Sequence, residues 1–155
     1  MRWARANSCP WDADTSAAAA ICGQLEVLQW LREQGCPVNW LTCAAAAQGG
    51  ELEILKWLRS NDCPWDEETC RRAAYGGQLE VLKWALAHHC PPLDEVVAAA
   101  AAKGGHLEVL KWLREEHNCP WCSVTCAMAA RAEQLDVLRW AREHGCPCPA
   151  HLQHL

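Results

Sequence analysis

The 155-residue chain holds no run of about eighteen apolar residues, so no segment of it reads as a membrane-spanning helix. Its opening, Met1-Arg2-Trp3-Ala4-Arg5, lacks the apolar stretch of a secretory signal. Positive charge is in deficit: 14 lysines and arginines stand against 19 aspartates and glutamates. That leaves no electrostatic case for nucleic acid or an anionic membrane as the partner. Three catalytic signatures are also missing, namely a phosphate-cradling glycine loop, an HExxH zinc helix and a Ser-His-Asp set. The sequence therefore predicts an intracellular, cytoplasmic protein that is not an enzyme.

One phrase, repeated, occupies most of the chain. GELEILKWLRSNDCP, ending at Pro64, returns as GQLEVLQWLREQGCP, GQLEVLKWALAHHCP, GHLEVLKWLREEHNCP and EQLDVLRWAREHGCP. Its leucines fall at Leu25, Leu52, Leu79, Leu107 and Leu135, in steps of 27, 27, 28 and 28. A fixed period of that size marks a stacked-repeat protein. The units run 9–35, 36–62, 63–89, 90–118 and 119–145 within one array, with a partial unit over 1–8 and a tail over 146–155. Because the chain opens inside a second helix, the sequence also admits a segment of a longer array that serves only as a spacer. Polar capping units are not evident at either end, which predicts possible end-to-end self-association.

Each unit reads as two helices. Asp12, Asn39, Asp66 and Asp94 are suited to N-cap the first, which is alanine-rich: Ala17 to Ala20, Ala44 to Ala47, Ala98 to Ala102. Glycine then ends it, except in the fifth unit, where Ala132-Glu133 predicts a strained or differently shaped turn. In the second helix, Leu25, Val27, Leu28, Trp30 and Leu31 cover well over half the circumference, as in a helix covered on several sides. Its tryptophans read as core, so Trp57→Ala is expected to cost about 3–5 kcal/mol. Small side chains on one layer and bulky ones on the other predict an all-α rod that curves with the alanine layer concave. One extra residue in each half of the fourth unit predicts a local change of curvature there.

Twelve cysteines approach the density of a disulfide scaffold. Their placement argues otherwise, because Cys9, Cys36, Cys63, Cys90, Cys119 and Cys146 share one repeat position. Stacked equivalents lie roughly 8–10 Å apart, beyond the roughly 7 Å Cα limit of a disulfide. Reduced thiols are the expectation.

The pattern T-C-A-A-A-A-x-G-G-x-L-E-x-L-K-W-L-R-x-x-x-C-P, from Thr42 to Pro64, resembles the ankyrin repeat. Gly105-His106-Leu107-Glu108-Val109-Leu110 fits that family's second-helix opening almost letter for letter. The resemblance spans essentially the whole chain, in a short variant that carries tryptophan and Cys-Pro-Trp. It implies an ankyrin-like helical-repeat solenoid and a non-enzymatic scaffold that binds another protein. The usual period is about 33 residues and includes a β-finger; here the finger is shortened or absent, and the Thr-Pro-Leu-His tetrapeptide is replaced by Thr42-Cys43-Ala44-Ala45. Binding is thereby expected to shift to the concave alanine face and short loops.

Positions that vary while facing outward are the candidate contacts. One such column reads Ile21, Gln48, Tyr75, Lys103, Arg131. Neighbouring columns are alanine except at Arg71, Arg72 and Met128, and the loop positions Trp40, Leu41, Glu67, Glu68 and Val124 vary likewise. Arginine and tyrosine are favoured at interfaces, so Arg71, Arg72 and Tyr75 form the sharpest patch. Losing both arginines is expected to weaken a partner without lowering thermal stability. Variation can equally mark freedom from constraint.

Two further elements carry chemistry. The Cys-Pro-Trp triplets at Cys9, Cys63 and Cys119 suggest redox or metal work, but regular recurrence favours a packing role, with Pro-Trp joining one unit to the next. Near the end, Cys119, Cys122, Cys126, Cys146, Cys148, His151 and His154 hold enough soft ligands for a tetrahedral zinc site, provided that the tail folds back. A zinc-stabilised or metal-sensing module is the alternative reading; otherwise no cofactor is expected.

Overall fold

The computed structural model describes residues 11–91 and 93–150. The partial unit over 1–8, together with Cys9, His151 and His154, lies outside the described residues. Among the described residues there are ten helices and no strand. They are α1 (Ala13–Ile21), α2 (Leu25–Glu33), α3 (Trp40–Gly49), α4 (Leu52–Ser60), α5 (Glu67–Tyr75), α6 (Leu79–Ala87), α7 (Glu95–Gly104), α8 (Leu107–Glu115), α9 (Ser123–Arg131) and α10 (Leu135–Glu143). Odd helices are the first of a unit and even helices the second.

The first helices start where a side chain can take up an orphan N–H. Asp12 accepts from the backbone of Thr15, Asn39 from Leu41, Asp66 from Glu68, and Asp94 from both Val96 and Val97. Asn39 is also closed by the Thr42 hydroxyl, which accepts from the Asn39 N–H at 3.3 Å. In the fifth unit Cys122 takes the same backbone place with no side-chain hydrogen bond to the helix.

Which face of a first helix is hidden follows from its period. Thr42, Cys43, Ala46 and Ala47 stand three, four, seven and eight residues after the cap, on one side of the helix, and all are fully buried. Positions two, five, six and nine after the cap lie on the opposite side. Larger side chains there, such as Arg72 and Tyr75, are partly or fully exposed, while alanines such as Ala44 and Ala45 are still buried. The hidden face is made of small residues, and the backbones of successive first helices come within 8 Å along much of their length. Glycine makes the tightest approach possible: a Cβ on Gly76 would stand 2.2 Å from the carbonyl oxygen of Gln48. Successive second helices, held apart by leucine and tryptophan, do not approach in this way. The first-helix side is therefore the short side, and the stack curves toward it.

The core is a ribbon between layers. Leu28, Leu31, Leu55, Leu58, Leu82, Leu110 and Leu113 are fully buried. The tryptophans are not its centre, contrary to the expectation for Trp57. Trp112 is buried, at 7% exposure, whereas Trp30, Trp57, Trp84 and Trp140 are half-buried and pack against the edge of the core. Leucines one turn away fill the space between layers and leave the indoles at its rim.

The two extra residues of the fourth unit sit in turns. One lengthens the link from Cys90 to the cap at Asp94, four residues rather than the three of other units. The other is taken up after α8, where Asn118 adopts a left-handed φ of 47° and the Cys119 N–H bonds to Leu113, six residues back. At Cys36, Cys63, Cys90 and Cys146 the same bond reaches back five. In the fifth unit Glu133 has φ 57°, in the left-handed region that glycine fills in the earlier units, so the strain expected from Ala132-Glu133 is present.

Candidate functional site

A groove of about 620 Å³ runs across α5, α7 and α9 on the first-helix side. Arg71, Arg72, Tyr75, Lys103 and Met128, all singled out by their variation, line it together, along with Glu68 and Val124. These residues stand two, five, six or nine positions after their caps, and the helical period brings them onto one face. Trp40, Leu41 and Arg131 are not among its lining residues. Trp40 and Arg131 are exposed elsewhere on the chain, while Leu41 packs against the core. Ala99 and Ala100, part of the expected alanine face, also line the groove, as do Glu95 and Val96, which were missed. Val96 occupies the same position as Leu41, Glu68 and Val124, so reading that column to its end would have found it.

The polar groups of the groove differ in how fully they are engaged. Arg71 reaches one unit onward to Asp94 at 2.9 Å and also approaches Glu68 at 3.9 Å. Burial opposes the ionisation of Asp94, but hydrogen bonds from Arg71 and from the Val97 and Val96 N–H groups outweigh it and hold the carboxyl below its ordinary range. The hydrogen bond to Asp94 in turn raises Arg71. Arg72 bonds Glu68 at 2.7 Å and the side-chain oxygen of Gln48 at 3.0 Å. Both arginines are thus ties within and between units. Lys103 is different. Its ammonium lies over the Tyr75 ring, 5.4 Å from the centroid, with no carboxylate at ion-pair distance among the described residues. Tyr75, Val96 and Val124 are exposed large apolar side chains on the same face.

The Cys-Pro joints have a repeated geometry of their own. The thiol donates to the carbonyl of the preceding cap residue: Cys36 to Asp12 at 3.3 Å, Cys63 to Asn39 at 3.2 Å, Cys119 to Asp94 at 3.3 Å and Cys146 to Cys122 at 3.4 Å. At Trp65 and Trp121 an arginine from the previous unit covers the ring. Arg59 stands 4.6 Å from the Trp65 centroid and donates to the Cys63 carbonyl; Arg114 stands 4.4 Å from Trp121 and donates to the Cys119 carbonyl. Trp65 then meets Trp84 edge-on at 5.8 Å, as Trp121 meets Trp140. Burial pushes the Cys119 and Cys146 thiols up to about 11, so both are protonated at neutral pH. This is the packing arrangement, with cysteine as a small buried side chain.

The C-terminal cysteines are distributed differently from a single ligand cluster. Cys126, on α9, is disulfide-bonded to Cys148, with Cα atoms 5.4 Å apart. The expectation of reduced thiols does not hold for this pair, since the distance argument covers equivalent positions only. Cys126 and Cys148 are not equivalent: one lies on a helix and the other two residues past a joint. Cys122 and Cys146 flank them, while Cys119 is held one unit back at Asp94. Among the described residues no group of three or more His, Cys, Asp or Glu side chains is placed to hold a metal ion.

No protein-family model matches the sequence, and no curated protein matches it. The fold does have solved counterparts. The crystal structure of the human ASB11 ankyrin repeat domain superposes with a TM-score of 0.61 at 20% identity, over 84% of this chain and 69% of that one. With its paired helices, its tight first-helix layer and no strand among the described residues, the chain has the ankyrin-repeat solenoid fold.

Proposed function

We propose that the chain is a non-enzymatic interaction module that holds a segment of a partner protein in the groove across α5, α7 and α9. One observation carries this reading: residues that depart from alanine at outward positions, scattered over three units in sequence, line a single groove. The fold supports it by analogy, since the ankyrin resemblance implies protein binding. The chemistry of the groove suggests the segment, which would offer an apolar side chain to Tyr75, Val96 and Met128 and a carboxylate to Lys103.

Panning a displayed peptide library against the whole chain tests the proposal. Selected peptides should lose at least about tenfold in affinity on Tyr75→Ala and on Lys103→Glu, the cost of one interface contact. Trp40→Ala, outside the groove, should leave affinity unchanged, and all three variants should melt near the parent. Peptides indifferent to Tyr75 and Lys103 would place binding elsewhere.

A further inference from the structure

We infer that the chain carries oxidisable thiol pairs in repeat register, Cys43 with Cys63 and Cys70 with Cys90, each able to clamp a first helix to the joint that follows its own unit. The residue four positions after each cap is Ser16, Cys43, Cys70, Ala98 or Cys126. The fold sets it against the next joint cysteine. The joint sulfurs stand at the carbonyl of the cap that opens that helix: Cys36 at Asp12, Cys63 at Asn39, Cys90 at Asp66, Cys119 at Asp94 and Cys146 at Cys122.

Two units thus oppose thiol to thiol. Cys70 Sγ donates to Cys90 Sγ at 3.0 Å, and Cys43 and Cys63 hold the same two repeat positions one unit earlier, both buried. All four are free thiols in the structure. Units one and four oppose a hydroxyl and a methyl group instead, so Cys36 and Cys119 are controls built into the same fold. The fifth unit supplies a precedent, because Cys126, the counterpart of Cys43 and Cys70, already holds a disulfide, with Cys148.

The chemistry is thiol–disulfide exchange with a small-molecule disulfide as oxidant. The joint cysteine is the better nucleophile of each pair, since the facing Cys70 thiol lowers Cys90 and the facing Cys43 thiol lowers Cys63. Cys90 attacks the oxidant, forming a mixed disulfide and releasing one small thiol. Cys70 then attacks the Cys90 sulfur, closes the protein disulfide and releases the second small thiol. One disulfide is made and one broken, and the two protein protons leave on the two small thiols. The closed loop, 20 residues in sequence separation, contains the second helix of that unit. Constraining the unfolded chain this way should raise the melting temperature by roughly 5–10 °C per bridge.

The test uses the whole chain, reduced with dithiothreitol, freed of it, and then exposed to oxidised glutathione before alkylation. Non-reducing peptide mass mapping should find Cys43–Cys63 and Cys70–Cys90 bridges, with Cys36 and Cys119 alkylated, and the melt should move upward. The Cys43→Ser, Cys70→Ser variant should stay folded, since Ser16 is fully buried at the equivalent place. It should show Cys63 and Cys90 alkylated and none of the upward shift due to these bridges. Cys63 and Cys90 alkylated in the parent as fully as Cys36 and Cys119 would overturn the pairing. Bridges scattered over all cysteines would overturn the register, and bridges with no shift in melting would overturn the clamp.

Discussion

Arg71 and Asp94 meet at 2.9 Å across the boundary between the third and fourth units, and the same Asp94 caps α7. A residue that the sequence offers as a candidate contact is thus also a tie between repeats. Both side chains are about one-third exposed, at 29% and 34%, so water screens the pair and its contribution is modest. A double-mutant cycle with Arg71→Ala and Asp94→Asn, which keeps a capping oxygen, should give a coupling of about 0.5–1 kcal/mol. Arg71→Ala with Arg72→Ala is then expected to lower the melting temperature by a few degrees, roughly 2–4 °C per kcal/mol in a chain of this size. This replaces the expectation from sequence that the pair is silent in stability. An unchanged melt would mean that these bonds contribute nothing in solution.

Acid should dissolve this tie in a defined direction. The folded pKa of Asp94 lies below its unfolded value, which is about 3.9. Its stabilisation is therefore complete above that pH and lost as the pH falls through the lower, folded value. Arg71 keeps its charge throughout. Urea midpoints for the parent and Arg71→Ala should differ at pH 7 and converge as the pH falls through the lowered, folded value of Asp94. A gap that persists there would assign the loss to packing of the arginine stem.

Not all tryptophans of the repeat should respond alike. Trp112 is buried and touches His117 at 4.3 Å between centroids, whereas Trp57 is half-buried with Arg32 over its ring at 5.5 Å. Trp112→Ala should therefore cost about 3–5 kcal/mol, and Trp57→Ala clearly less, as chemical unfolding of each would show. Equal losses would mean that the rim indoles bear as much of the core as the buried one.

Much of this was legible because the sequence repeats. Five aligned copies let position four be told from position six, and a 3.6-residue period then separates Cys43 and Ala47 inside from Arg72 and Tyr75 outside. The caps at Asp12, Asn39, Asp66 and Asp94 were readable for the same reason. Pairing across units was not. Nothing in the sequence says that Arg71 finds Asp94 rather than a ligand, because that depends on the offset between neighbouring helices. Nor does a column of tryptophans reveal how deep each indole sits, which leucines one turn away decide. The Cys126–Cys148 bond escaped because it joins two positions that the period does not relate.

The turn between α9 and α10 offers a direct measure of what the repeat lost in its fifth copy. Gly23, Gly50, Gly77 and Gly105 adopt φ between 72° and 80°, and Glu133 is held at 57° in their place. A side chain there costs roughly 1–2 kcal/mol against the left-handed conformation. Glycine removes that cost but gives back about 0.5–1 kcal/mol in chain entropy. Glu133→Gly should accordingly raise stability by about 0.5–1 kcal/mol, seen as a higher urea midpoint at constant slope. Glu133→Ala keeps the Cβ and so keeps the strain, and it should gain nothing. A rise in both variants would trace the effect to removing a negative charge rather than to the backbone. A rise in glycine alone would show that the fifth unit folds against its own sequence because the four before it impose the turn.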